Sequence, residues 1–154
     1  MPKTTDIIGG TYCLLIESGK EVIISSGKFK GISFPAGYYY YTGSAQKNLI
    51  ARIQRHIRKN KPLHWHIDFL TSLNDFTVKE VYIFRDKKKS FECVLSQDLF
   101  KIFNLKIIAP GFGSSDCNEC QTHLYYSPKK LSYSHFISRY QSIERLIPSS
   151  SETV

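Results

Sequence analysis

Tyr41-Thr42-Gly43-Ser44, running through Ala45-Gln46-Lys47 into Asn48-Leu49-Ile50-Ala51-Arg52-Ile53-Gln54-Arg55-His56-Ile57, decides how this chain is read. Tyrosine and threonine favour strand, and the glycine punctuates the run. Leu49, Ile50, Ile53 and Ile57 then recur at helical spacing, predicting an amphipathic helix over residues 48–59. Lys59-Asn60-Lys61-Pro62 ends it, because proline disfavours helix at the residue before it. Arg52 and His56 are four residues apart, so a guanidinium and an imidazole share one helix face beside the turn at Gly43.

Upstream, Thr11 to Ile16 and Glu21 to Ser25 read as strands with a turn at Ser26-Gly27-Lys28. Gly31 to Phe34 and Gly37 to Thr42 follow, separated by Pro35-Ala36, so the first forty-odd residues read as a β-meander. Downstream, His64 to Leu73 suggests a short helix, Thr77 to Arg85 a strand, and Lys87-Lys88-Lys89 a solvated turn. Ser90 is a good N-cap for a helix whose apolar positions are Phe91, Val94, Leu95, Leu99, Ile102 and Phe103. Glu92 lies in its first turn, where a carboxylate complements the helix dipole whatever else it does. Pro110 to Asp116 is a loop, Leu124-Tyr125-Tyr126 a strand, and Tyr133 to Leu146 a final amphipathic helix. Its stripe is Phe136, Ile137, Tyr140, Ile143 and Ile147. No linker splits the chain: one α/β (α+β) domain is expected over 7–147, with a flexible serine-rich tail at 148–154.

Gly10-Thr11-Tyr12, Tyr41-Thr42-Gly43, the Arg52/His56 helix and Glu92 occur in an order that resembles the GIY-YIG nuclease superfamily. The closest resemblance is to its Uri-type endonuclease-like branch, a domain of unknown function that some members carry fused to endonuclease III. The residues that carry it are Phe34-Pro35-Ala36-Gly37, Tyr41-Thr42-Gly43-Ser44-Ala45, His64-Trp65-His66-Ile67-Asp68 and Glu92-Cys93. Gly111-Phe112-Gly113-Ser114-Ser115-Asp116-Cys117 and His123-Leu124 complete the set. The resemblance implies a small β-sheet core flanked by helices, with its two signature tripeptides on neighbouring strands. The long gap between Tyr12 and Tyr41 implies an inserted N-terminal hairpin.

It also implies a reaction: metal-dependent hydrolysis of phosphodiester bonds in DNA, linked to repair. Tyr12 would be the general base, with Tyr41 contacting the same water or phosphate. A phenol of pKa about 10 serves in this role only if positive charge lowers it, and Arg52, His56 and a bound cation are expected to supply that charge. Arg52, a planar and permanently charged fork, suits non-bridging phosphate oxygens, while His56 would accept a proton from Tyr12 or hold it in place. Glu92 would bind one Mg2+, or Mn2+ in its stead, since magnesium accepts a single carboxylate with water filling the rest. Arg55, Arg58, Lys59 and His64 are read as nucleic-acid contacts, although each also fits a wet helix or loop surface.

Bulk properties agree with an anionic partner: 21 Lys and Arg against 13 Asp and Glu give a formal charge of +8. Charge of this kind speaks to encounter, not to fold. No run of 18 apolar residues exists, and the Met1 to Asp6 stretch lacks the apolar segment of a signal peptide. A cytoplasmic protein with reduced thiols at Cys13, Cys93, Cys117 and Cys120 is expected, with no membrane partner. Cys117, Cys120 and His123 invite a Zn2+ reading with His64 or His66 as fourth ligand. One visible knuckle where structural sites usually show two argues against it. Asp116 either caps a turn or joins the site. The rival readings are a catalytically silent nucleic-acid-binding module and a zinc-stabilised interaction module that docks on an endonuclease III-type repair glycosylase.

Overall fold

The computed structural model describes residues 8–113, 119–140 and 142–148. Asp116, Cys117 and all but the first residue of the expected tail lie outside them. The fold is mixed α+β, built on a five-stranded antiparallel sheet. Its long strands are β1 (Gly10–Ser18), β4 (Gly37–Ala45) and β5 (Phe76–Arg85), with β6 (Leu124–Ser127) and β7 (Glu144–Leu146) at the edges. The order across the sheet is β6-β4-β1-β5-β7. Between β1 and β4 the chain makes the inserted hairpin, β2 (Val22–Ile23) against β3 (Ser33–Phe34). The expected meander is therefore a long hairpin of β1 and β4 with a small one set into its loop.

Alternation along the strands explains two cores. Tyr12, Leu14 and Ile16 of β1 point to one face with Tyr39 and Tyr41, while Cys13, Leu15 and Tyr40 point to the other. A register shift between Leu15 and Ile16 bends β1 against β5. Helices α1 (Leu49–Ile57) and α2 (His66–Thr71) cover the first face through Leu49, Ile53, Ile57, Ile67 and Leu70. Helix α3 (Ser90–Lys101) and the short α4 (Tyr133–Ile137) cover the second through Leu95, Leu99 and Phe136.

Three expectations need correction. Ser90 does not cap α3: it is the first helical residue, and Lys89 precedes it with helical angles and no side-chain cap. Of the expected α3 stripe, Val94 and Ile102 face solvent and the polar Ser96 is buried instead. The last helix stops at Ile137, and residues 144–146 are a strand on the free edge of β5. Pairing gives that edge backbone partners. It also sets Arg145 2.6 Å from the buried Glu80, which Lys130 meets as well. A buried carboxylate demands such partners, and helical periodicity could not compete. Tyr140 and Ile143 still pack on the second core, while Ile147 is exposed.

Candidate active site

At one end of the sheet, helices from opposite faces meet over the strands and enclose a basin of about 590 Å³. Tyr12, Tyr41, Arg52, His56 and Glu92 all line it. The geometry begins with the register of β1 and β4. Tyr12 stands opposite Gly43, and Leu14 opposite Tyr41, so the two tyrosines are diagonal neighbours on one face. Gly43 is required there: a Cβ at that position would come within 2.5 Å of the Tyr12 hydroxyl.

Helix α1 brings the guanidinium and the imidazole. His56 is buried, and its Nε2 lies 2.8 Å from the Tyr12 hydroxyl. Burial, reinforced by nearby Lys61, pushes the His56 pKa down to about 3, so the ring is neutral near pH 7. Its Nδ1 has no hydrogen-bond partner among the described residues. Tyr12 is displaced in the other direction: burial and the neighbouring Tyr41 raise its pKa well above the usual value, against the opposing pull of Arg52. The expected cationic help is thus only partly present. Arg52 supplies charge and hydrogen bonding to the phenol, but His56 does not, because it is uncharged.

Arg52 is held from two sides. Its Nη1 donates to the Ser44 carbonyl at 2.7 Å, and its guanidinium lies 5.0 Å from the centre of the Trp65 ring. Ser44 also reaches the other face of the sheet, where its hydroxyl donates to Glu92 Oε1 at 2.5 Å. The second Glu92 oxygen lies 2.7 Å from His123 Nδ1. Burial alone would raise the Glu92 pKa, yet the bonds from His123 and Ser44 prevail and hold it below the usual carboxylate value. Glu92 is therefore an oriented carboxylate and more than a helix-start charge. An anionic, partly exposed carboxylate of this kind, with Glu119 on the same basin wall, fits a hard divalent cation that keeps most of its water.

The remaining nucleic-acid contacts expected from the sequence stand outside the basin lining. Arg55 grips the fully buried Asp68 through both carboxylate oxygens, at 2.9 and 3.0 Å, and donates to the Pro62 carbonyl at 2.7 Å. Asp68 in turn accepts from the backbone N–H groups of His64 and Trp65 at the start of α2, fixing the Trp65 ring over Arg52. Arg55 thus builds the site's wall. Lys59 donates to the Leu73 carbonyl at 2.6 Å, joining α1 to the end of α2. Arg58 is exposed at the end of α1, and the exposed His64 ring packs against Trp65.

Several basin residues were missed. Lys89, read as part of a solvated turn, lines the basin, and Lys87 and Lys88 line an adjoining hollow. Ser44 sits inside a quoted motif, but its link between Arg52 and Glu92 depends on how two sheet faces meet. His123 belongs to the motif set and to the zinc reading, but its bond to Glu92 is not legible in the sequence. Trp65 had a visible signal, two flanking histidines and a following Asp68, without a readable role.

The family model described as "Domain of unknown function DUF123" matches residues 11–145. No curated protein and no solved structure matches the chain. Among the described residues no helix is long and apolar enough to cross a membrane.

Proposed function

Taking as premise that this chain belongs to the DUF123 family, whose function is unknown, we propose that it is a metal-dependent endonuclease of the GIY-YIG type that hydrolyses phosphodiester bonds in DNA. One observation supports this reading above others: Tyr12, Tyr41, Arg52, His56 and Glu92, scattered over eighty residues, converge on one basin.

The Tyr12–His56 pair suggests how a water is deprotonated. A free phenolate is disfavoured by burial, and so is a free imidazolium. A relay avoids the phenolate: Tyr12 takes a proton from the attacking water while its own proton passes to His56 Nε2. The water oxygen bonds to phosphorus to give an anionic phosphorane, with the single new positive charge on His56 beside it. The bond to the leaving oxygen then breaks, the departing oxyanion takes a proton from solvent, and His56 gives its own proton back to solvent. Arg52, which lines the basin, would meet the non-bridging oxygens, where a fixed fork gains most as charge develops. Tyr41 borders the same space and narrows it. Glu92 would hold a Mg2+ or Mn2+ ion, which as a Lewis acid supplies charge neutralisation at the phosphate and leaving oxygen. Lys87, Lys88 and Lys89 give the approach a positive border. A place in DNA repair, beside an endonuclease III-type enzyme, belongs to the same proposal.

The test is nicking of plasmid DNA by purified protein with Mg2+ or Mn2+. Cleavage that disappears in Arg52→Ala supports the reading, and equal cleavage by both proteins overturns it. A second reading, binding without cleavage, draws on the protonated phenol and uncharged imidazole of the resting site. Retained DNA binding with no metal-dependent nicking would select it.

A further inference from the structure

Cys93 follows Glu92 on α3, and Cys120 and His123 lie on the segment that leads into β6. Although far apart in sequence, they offer two sulfur atoms and an imidazole nitrogen that all lie within 4.8 Å of one another. Ligands about 2.3 Å from a tetrahedral zinc stand about 3.8 Å apart, so a shift of the order of an ångström closes the set. The chemistry is soft, two thiols and an imidazole, unlike the hard oxygen donors of the neighbouring Glu92.

A second relationship points the same way. His123 Nδ1 lies 2.7 Å from Glu92 Oε2. A metal-binding histidine commonly gives its other ring N–H to a carboxylate, which fixes tautomer and ring orientation. With Nδ1–H directed at Glu92, the Nε2 lone pair is what the ring offers to a metal. We propose that Cys93, Cys120 and His123 form a zinc site in the wall of the basin, distinct from the Glu92 cation site and tying α3 to the segment before β6. Sequence spacing hides it, because Cys93 is 27 residues from Cys120.

Such a site has a structural and a positioning effect. Zinc anchors His123, and His123 holds one oxygen of Glu92, so loss of zinc releases the carboxylate as well as the segment. Binding requires deprotonated thiols, so zinc also removes their nucleophilicity.

Cobalt provides a test without any nuclease assay. Metal-free protein, prepared under reducing conditions and shown to be folded by circular dichroism, is titrated with Co2+. Sulfur-to-cobalt charge-transfer absorption with the intense visible bands of tetrahedral cobalt is expected, bleached by stoichiometric Zn2+. The absorption should be lost in Cys93→Ser and Cys120→Ser, and retained in Cys13→Ala, whose thiol lies in the second core. Should the serine variants misfold, alkylation of the wild type decides: zinc should slow modification of Cys93 and Cys120 roughly tenfold or more. Octahedral, sulfur-free cobalt spectra, alkylation indifferent to zinc, or a native Cys93–Cys120 disulfide that excludes metal would each overturn the proposal.

Discussion

The Tyr12 hydroxyl and His56 Nε2 share a buried hydrogen bond of 2.8 Å, which joins two groups whose ionisation burial opposes. Their mutual dependence gives the site a testable response to pH. The His56 pKa falls from 6.5 in the unfolded chain to about 3 in the fold. Above pH 6.5 neither state gains a proton there. Below it the unfolded chain binds one that the fold refuses, so stability falls as pH falls towards 3, at up to about 1.4 kcal/mol per pH unit. His56→Gln keeps a hydrogen-bonding group and removes the titration. Denaturant midpoints between pH 7 and pH 4 should decline less steeply in the variant than in wild type. Parallel declines would mean that His56 titrates normally.

Gly43→Ala probes the placement of Tyr12. The added methyl meets the Tyr12 ring and hydroxyl, which must move or rotate. Overpacking of this kind costs roughly 1–3 kcal/mol, and the larger effect should fall on turnover. We expect reduced kcat with nearly unchanged DNA affinity, read from nicking rates and a binding titration. Unaltered kcat would show that the position of the Tyr12 hydroxyl does not matter to the chemistry.

Glu92→Gln and Arg52→Ala should separate binding from catalysis. The glutamine keeps the shape between Ser44 and His123 and removes the charge that holds a cation, so cleavage should fall while DNA affinity is kept or slightly increased. Arg52→Ala should weaken binding and lower kcat further, by roughly 10²–10³-fold, as for loss of one preorganised charge donor. Equal metal-dependent activity in wild type and Glu92→Gln would reduce Glu92 to a structural strut.

Two groups of basic residues should behave differently. Replacing Arg55 by alanine leaves the buried Asp68 without its counter-charge, held only by the backbone N–H groups of His64 and Trp65, at a cost of about 3 kcal/mol, while the salt dependence of DNA binding stays near wild type. Replacing Lys87, Lys88 and Lys89 should leave stability alone and flatten the slope of log affinity against log salt, by roughly 0.9 for each lysine that meets a phosphate. A flattened slope in Arg55→Ala, with the lysine variant unchanged, would reverse these roles.

What could be read beforehand followed the range of the interactions. Strands with tyrosine and β-branched runs, and the α1 stripe of Leu49, Ile53 and Ile57, were legible because neighbours in sequence decide them. So was the chance that Arg52 and His56 act together, since both ride one helix turn. The β7 strand was not, because its cause is an unpaired edge of β5 and the demand of Glu80 for Arg145. Arg55 looked like a free cation for the same reason: its partner, Asp68, lies on another helix. The direction of the Tyr12 and His56 shifts depends on burial depth, which residue order alone does not disclose.

Ser44 receives Arg52 on its carbonyl and reaches Glu92 through its hydroxyl, so the basin draws this guanidinium and this carboxylate from helices on opposite faces of the sheet. During synthesis this imposes an order of events. A ribosome-bound chain that has released only β1, β4 and α1 already carries both tyrosines, the arginine and the histidine. The carboxylate and the histidine that steadies it follow only after β5 has joined β1. Any competence of the basin therefore arises late, when both layers have docked, and a truncated or half-folded product carries the arginine without its acidic counterpart.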